Sequence, residues 1–371
     1  HIGLWPLGDA TDSPLRPSVS CVVQPGFALK AVRKRTEGSG GVELCEIPEP
    51  EVTRDDTIKI AVRAAGICGT DLHIRHGGYG FKPPVTLGHE ISGDVVEVGA
   101  SVKSVAVGDR VTVNPTANAS CGCCRFCHTG TYFFCENRQS IGSGIDGGFA
   151  EYLAAPERLV FTVPSELSHD AAALVEPFAC CVKALCRYTD ISPGQLVLVC
   201  GPGPIGLMCA WLAKQSGAFV VVAGTAGDGD RLETACEMGA DIAVSVETEN
   251  VIEICRQHTD GHGADIVIDC GGTRGSVNQC LQAAATCADY TQVALIEEPF
   301  EIDWGRIVYK QLRVQGSIAA DWPSWDKAIR MVTTGQVDLE PFVSHRHSID
   351  DWETAFDNAE NKIGLKQILT P

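Results

Sequence analysis

Apolar and polar positions alternate differently in the two halves of the chain. From Ala28 onward short β patterns follow one another. Ala28–Arg33 and Gly41–Ile47 flank a Gly38-Ser39-Gly40-Gly41 turn and predict a hairpin, and Thr57–Ala65 predicts a third strand. Glu90–Val98 alternates as a strand with one wetter face, and Arg110–Asn114 follows the Gly108-Asp109 turn. Ser168–Leu185 reads as helix. Beyond about Asp190 the pattern changes. Gln195–Cys200 is a continuous apolar run of the kind buried on both faces of a parallel sheet. Helical and strand patterns then alternate through Leu207–Gln215, Phe219–Ala223, Arg231–Met238, Ile242–Val244 and Val251–His258. They continue through Asp265–Cys270, Ser276–Ala285, Gln292–Ile296 and Arg313–Ile318, which predicts an α/β, doubly wound parallel sheet. Ser324–Thr334 and Asp350–Glu360 predict helices that return to the first half. The expected organisation is an arm over 1–27, a β-rich domain over 28–188, a dinucleotide-type domain over 189–320 and a C-terminal return over 321–371. The arm carries four prolines, no clear periodicity and neither the basic start nor the apolar core of a secretory signal; no role is read into it.

Composition narrows the partners. The 371 residues, 44% hydrophobic and 20% charged, suffice for two packed domains. A formal net charge of -18 argues against nucleic acid or an anionic membrane surface, both of which need clustered cations. No apolar run reaches the roughly 18 residues of a membrane span. The 18 cysteines fall short of the roughly 8–10% density of a disulfide scaffold. Several of them (Cys180, Cys181, Cys186, Cys200, Cys209) lie in apolar runs, where a thiol acts as a small hydrophobe. A reducing, cytoplasmic setting is expected.

Three segments carry candidate chemistry. Gly66-Ile67-Cys68-Gly69-Thr70-Asp71-Leu72-His73 and Gly88-His89-Glu90 bring a thiol, an imidazole and a carboxylate close together in sequence, the three donor types zinc accepts. Thr70 and His73 stand where a proton could be passed along. Taken singly, Cys68 and His89 read as a buried thiol and a satisfied surface histidine; the later motifs change that reading. Cys121, Cys124, Cys127 and Cys135 form the one dense cysteine cluster, with gaps that let four thiolates wrap a tetrahedral zinc at a closed, structural site. Cys123 is an extra that competes with Cys124. Disulfides are the alternative, and an iron–sulfur cluster has different usual spacings. Glu176, ahead of Pro177 in an apolar run, is either a helix-cap acid or a further metal ligand.

Gly201-Pro202-Gly203-Pro204-Ile205-Gly206 stands between a strand and a helix, where glycines allow close backbone approach and a helix N-terminus meets a pyrophosphate. The next strand should end in an acid that holds the ribose hydroxyls of NAD. Gly224-Thr225-Ala226-Gly227 stands there instead, so a 2′-phosphate is not repelled, and Thr225 and Arg231 become its candidate holders. This leans the cofactor toward NADP, with NAD the alternative if Asp228 or Asp230 folds back to the ribose.

In this order, over about Ala28 to Pro371, the motifs resemble the zinc-dependent medium-chain dehydrogenase/reductase family of the alcohol dehydrogenase superfamily. Glu90 directly after His89 and Glu176 before proline are similar to its polyol (sorbitol-type) branch. Cys68–His73 and Ile302-Asp303-Trp304 are similar to its L-threonine 3-dehydrogenases. The resemblance implies a Rossmann domain inserted in a β-rich GroES-like catalytic domain. It implies a catalytic zinc on Cys68 and His89 with Glu90 or Glu176 as third ligand, and a proton relay through Thr70 and His73. It further implies a nicotinamide pocket bordered by the backbone of Leu295, Ser317 and Ile318, and a homodimer or homotetramer. The implied activity is hydride transfer between a secondary alcohol, expected to be a sugar alcohol, and the nicotinamide, with L-threonine as the alternative substrate. A non-catalytic zinc-stabilised binding protein, or a quinone reductase of the same superfamily, would lack ligands that are all present here. The sequence departs from the family at position 224 and at Cys287-Ala288-Asp289-Tyr290, which replaces a Gly-Gly turn.

Overall fold

The computed structural model describes residues 28–117, 120–296 and 298–371, so the expected arm over 1–27 lies outside the described residues. The first half is built around Thr57–Gly66, a ten-residue strand in which only Arg63 is exposed. Its apolar residues face packed layers on both sides, and it pairs antiparallel with Glu90–Val98, Tyr152–Pro156 and the chain's last strand, Lys366–Thr370. The sheet runs Val343–Ser348, Lys366–Thr370, Thr57–Gly66, Glu90–Val98, Arg110–Val113, Val160–Thr162, with Tyr152–Pro156 attached to Thr57–Gly66. The predicted hairpin, Ala28–Lys34 with Val42–Pro48, forms a small sheet that Val85–Thr86 completes.

The second half is a six-stranded, all-parallel sheet in the order Ile242–Ser245, Phe219–Gly224, Leu196–Cys200, Ala264–Asp269, Ala284–Gln292, Arg313–Gly316. In chain order this is 3-2-1-4-5-6, the doubly wound arrangement, and the strand order reverses between Leu196–Cys200 and Ala264–Asp269. Ligands of such sheets bind outside the carboxyl ends of the strands at that reversal. The chain then returns: Trp322–Thr333 packs on Val175–Cys186, and Val343–Ser348 and Lys366–Thr370 join the first sheet. Among the described residues no helix is long and apolar enough to cross a membrane.

Two elements differ from expectation. The helix expected over Ser168–Leu185 is two helices, His169–Ala173 and Val175–Cys186, meeting at Leu174. Pro177 falls in the first turn of the second, where its missing N–H leaves no bond unmade. The strand expected at Gln292–Ile296 is Ala284–Gln292, entered directly from helix Arg274–Ala283. Polar residues in it masked the strand pattern, and a large bulge interrupts its register: the step from Ala264 to Ile266 faces the step from Ala284 to Asp289. Cys287 sits in this bulge at φ 66°, donating its N–H to Lys310 O at 2.7 Å, and Asp289 is held by Arg313 of the next strand, Nη2 to Oδ2 at 2.6 Å. That is how the chain manages without a Gly-Gly turn here.

Candidate metal centre and dinucleotide cleft

Thr57–Gly66 delivers Cys68 to the N-cap of helix Gly69–His76. Asp71, fully buried in the first turn, accepts the Cys68 N–H on Oδ2 at 3.0 Å and the Gly88 N–H on Oδ1 at 3.2 Å. Its Oδ1 also lies 3.5 Å from His89 Nδ1. One carboxylate thus clamps the thiol segment to the imidazole segment. Donor atoms of Cys68, His89 and Glu90 all lie within 4.8 Å of one another. Burial disfavours a charged His89, but the Asp71 carboxylate and the Cys68 sulfur outweigh it and raise its pKa well above the usual value.

Glu90 is fully buried. Its Oε1 is bonded to the ammonium of Lys366, which is also buried and donates to Ile67 O at 3.0 Å. Its Oε2 is buried without a hydrogen-bond partner. An orphaned carboxylate oxygen in the interior is costly unless a cation takes it, and sulfur and nitrogen donors stand beside it. The residues therefore fit zinc. Gly66 is what leaves space there, since a Cβ on it would come 2.1 Å from Glu90 Oε2. Glu176 borders the same cleft outside that three-residue cluster, and burial pushes its carboxyl up to about 7. Thr70 and His73 are three apart on one helix face, and both border the cleft.

The sulfurs of Cys121, Cys124, Cys127 and Cys135 also lie within 4.8 Å of one another. Individual separations are 3.5 Å (Cys124–Cys127), 3.7 Å (Cys121–Cys135) and 3.9 Å (Cys121–Cys127). A disulfide needs about 2.05 Å, whereas a tetrahedron with Zn–S bonds of about 2.3 Å has edges of about 3.8 Å. The spacing fits a closed metal site, and the competing Cys123 is exposed outside the cluster.

A cleft of about 640 Å³ reaches the glycine-rich turn at Ile205. Gly201 takes φ +96°, and a Cβ on Gly206 would come 1.9 Å from Gly201 O, so neither position tolerates a side chain. Gly203, by contrast, faces open space at the N-terminus of helix Pro204–Gln215, where a diphosphate could approach the backbone. Ile205, Leu295, Ser317 and Ile318 border the cleft on this side. Buried Asp269 shapes the neighbouring turn by accepting the Gly271 N–H at 3.0 Å and a Gln292 side-chain N–H at 2.9 Å.

At the end of Phe219–Gly224, Gly224 is constrained: a Cβ there would meet Pro202 Cγ at 2.8 Å. Asp228 folds back and its Oδ2 accepts both the N–H and the hydroxyl of Thr225 at 2.9 and 2.6 Å; its Oδ1 takes Lys362 Nζ at 2.9 Å. The guanidinium of Arg231, expected beside Thr225, instead donates from Nε and Nη2 to Gly364 O at 2.9 and 2.8 Å.

Sequence reasoning missed three contributors: Asp71, Lys366 and Lys362. Asp71 had a readable signal, an acid three residues into a helix begun at Cys68. The two lysines had none, being brought in by the C-terminal return.

The comparisons agree with this arrangement. Residues 54–165 match the alcohol dehydrogenase GroES-like domain and residues 204–334 the zinc-binding dehydrogenase domain. Sorbitol dehydrogenase of Halalkalibacterium halodurans is 36% identical over 344 residues, covering 92% of this chain and 99% of that protein. D-arabitol-phosphate dehydrogenase of Enterococcus avium is 35% identical, covering 92% and 97%. A Sinorhizobium meliloti crystal structure, described as a zinc-binding dehydrogenase bound to NADP, superposes with a TM-score of 0.86 at 33% identity, covering 93% and 100%. The chain belongs to the zinc-dependent medium-chain dehydrogenase/reductase family. Its activity is that of a zinc-dependent oxidoreductase, moving hydride between a secondary alcohol and a nicotinamide cofactor, NAD or NADP.

Proposed function

We infer that the alcohol is a sugar alcohol, the cofactor NADP, and the catalytic ligands Cys68, His89 and Glu90. The observation that carries this reading is the partnerless Glu90 Oε2 buried behind Cys68 and His89, two residues that border a cleft reaching Ile205 of the glycine-rich turn. Zinc held there supplies Lewis acidity that lowers the pKa of an alcohol hydroxyl toward neutrality. Asp71 fixes the thiol and imidazole segments, and Lys366 balances Glu90 so that one oxygen stays available to the metal. Glu176, with a carboxyl near neutrality, is a second carboxylate within the cleft. Thr70 takes the substrate proton and His73 passes it along the helix. Leu295, Ser317 and Ile318 frame the nicotinamide. Replacing His73 with alanine is expected to cut turnover by roughly 10²–10⁴-fold while cofactor affinity changes little; steady-state rates beside a cofactor titration check it, and an unchanged rate would retire the relay.

The lean to NADP rests on the absence of an acid at Gly224 and on Lys362, whose ammonium reaches the Thr225 turn at Asp228; Arg231 is drawn off to Gly364 O, and Asp228, folded back on Thr225, keeps NAD as the alternative. The S. meliloti relative is described as bound to NADP. For assembly we favour a homodimer or homotetramer. Arg313–Gly316 is exposed along its whole length at the edge of the parallel sheet, and Trp304, Val308 and Tyr309 expose apolar surface nearby. A second copy would cover both. The test of function is an oxidation panel of sorbitol, galactitol, xylitol, L-threonine and simple secondary alcohols, run in parallel with NAD and NADP. Turnover of at least one sugar alcohol, faster with NADP, is expected; turnover confined to L-threonine would replace the sugar-alcohol reading.

A further inference from the structure

The segment that follows the four-cysteine cluster re-enters the cleft and brings a charge with it. Arg138 is half-buried and borders the cleft, its guanidinium carbon 3.9 Å from the centroid of the Phe133 ring and its Nη1 donating to Ser140 Oγ at 2.6 Å. Its backbone is anchored as well, since its N–H donates to Cys135 O at 3.0 Å. Many arginines of this acidic chain meet carboxylates (Arg33 with Asp146, Arg75 with Asp357, Arg187 with Asp321, Arg346 with Asp170), and Arg110 and Arg231 are spent on backbone carbonyls. Arg138 meets no carboxylate among the described residues. Glu176 and Glu298 border the same cleft, yet neither is paired with it. An aromatic stack and one hydroxyl hold the guanidinium plane in place while leaving most of its N–H fork unspent.

The neighbouring surface is rich in hydroxyls: Tyr79, Thr116, Ser140 and Ser143 all border the cleft on the metal side. Hydroxyls that both donate and accept suit a chain of substrate hydroxyls. A planar fork with fixed N–H groups suits a phosphate or carboxylate, which it can grip through two parallel bonds. We propose that Arg138 is a substrate-binding residue that anchors an anionic terminus, so that the substrate is a sugar alcohol phosphate rather than a neutral sugar alcohol. This rests on the sugar-alcohol reading above and deepens it. The phosphate stays at the Arg138 end, and the hydroxyl to be oxidised lies toward Cys68 and His89.

The test uses the zinc-loaded enzyme with its preferred coenzyme and matched substrates: sorbitol against sorbitol 6-phosphate, galactitol against galactitol 1-phosphate, and gluconate as the carboxylate arm. Wild type is expected to favour the phosphate ester by about 10–100-fold in kcat/KM, mostly through KM, as suits a charge-assisted contact. In Arg138→Gln that ratio should fall to near one, and Arg138→Lys should keep part of it. Because the ratio is taken within one preparation, partial misfolding of a variant does not move it. Preference for gluconate, lost in Arg138→Gln, supports the anionic anchor and overturns the phosphate. A wild type that uses neutral and phosphorylated substrates alike, or an Arg138→Gln variant that keeps the preference, overturns the proposal and leaves the sugar-alcohol reading standing. If no sugar alcohol and no ester turns over, that underlying reading fails.

Discussion

Replacing Cys68 with alanine is expected to lower kcat/KM by on the order of 10⁴-fold or more while leaving the fold in place. Without the thiolate, His89 and Glu90 alone do not make a site that holds zinc against the bulk, and the alcohol must lose its proton unaided. The fold survives because the Cys68 backbone N–H donates to Asp71 at the start of the helix, and alanine keeps that N–H. The side chain is also partly exposed, so no core contact is lost. Turnover measured beside metal content decides the matter: the zinc bound at this cluster should disappear, while that at the four-cysteine cluster remains. A variant with normal turnover would take Cys68 out of the metal site.

How much of this was readable in the sequence depends on how local each determinant is. Glu90–Val98 was legible to the residue because one face alternates, and Leu196–Cys200 because five consecutive apolar residues admit little else. Ala284–Gln292 was not, since its polar residues break the pattern: Cys287 is accommodated by a bulge and Asp289 by Arg313, a partner on another strand. Val343–Ser348, with its histidines and arginine, gave no strand signal either, and belongs to the first sheet only because Lys366–Thr370 lies beside it. Motif spacing singled out Cys68 and His89, which the fold brings together, but it left Glu90 and Glu176 equivalent. Packing separates them geometrically: Glu90 sits within the Cys68–His89 cluster, held by Lys366 from the far end of the chain. Arg231 shows the reverse case. Its spacing suggested a place beside Thr225, but the backbone carbonyl of Gly364 captures its guanidinium.

Replacing Cys127 with alanine should loosen the segment from Cys121 to Ser140 without unfolding either sheet. Among residues 120–140, Cys127 and Cys135 are the only buried ones, so this stretch has no apolar core of its own. Its two aromatic contacts, Phe126 with Phe134 and Phe133 with Phe134, involve partly exposed rings. What holds it is four sulfurs around a common centre. A structural zinc of this kind contributes roughly 10–16 kcal/mol, and losing a third of that, about 3–5 kcal/mol, raises the open population by on the order of 10²–10⁴-fold. Limited proteolysis should then cut between 120 and 140 while the rest stays protected, because the core containing Ile58, Ile60 and Ile91 draws nothing from residues 120–140. Turnover should fall with it, since Phe133, Arg138 and Ser140 border the cleft from this same stretch. A Cys127→Ala protein that has lost the ion yet resists the protease here would mean that the segment is held by something other than its metal, and that Arg138 keeps its place without it.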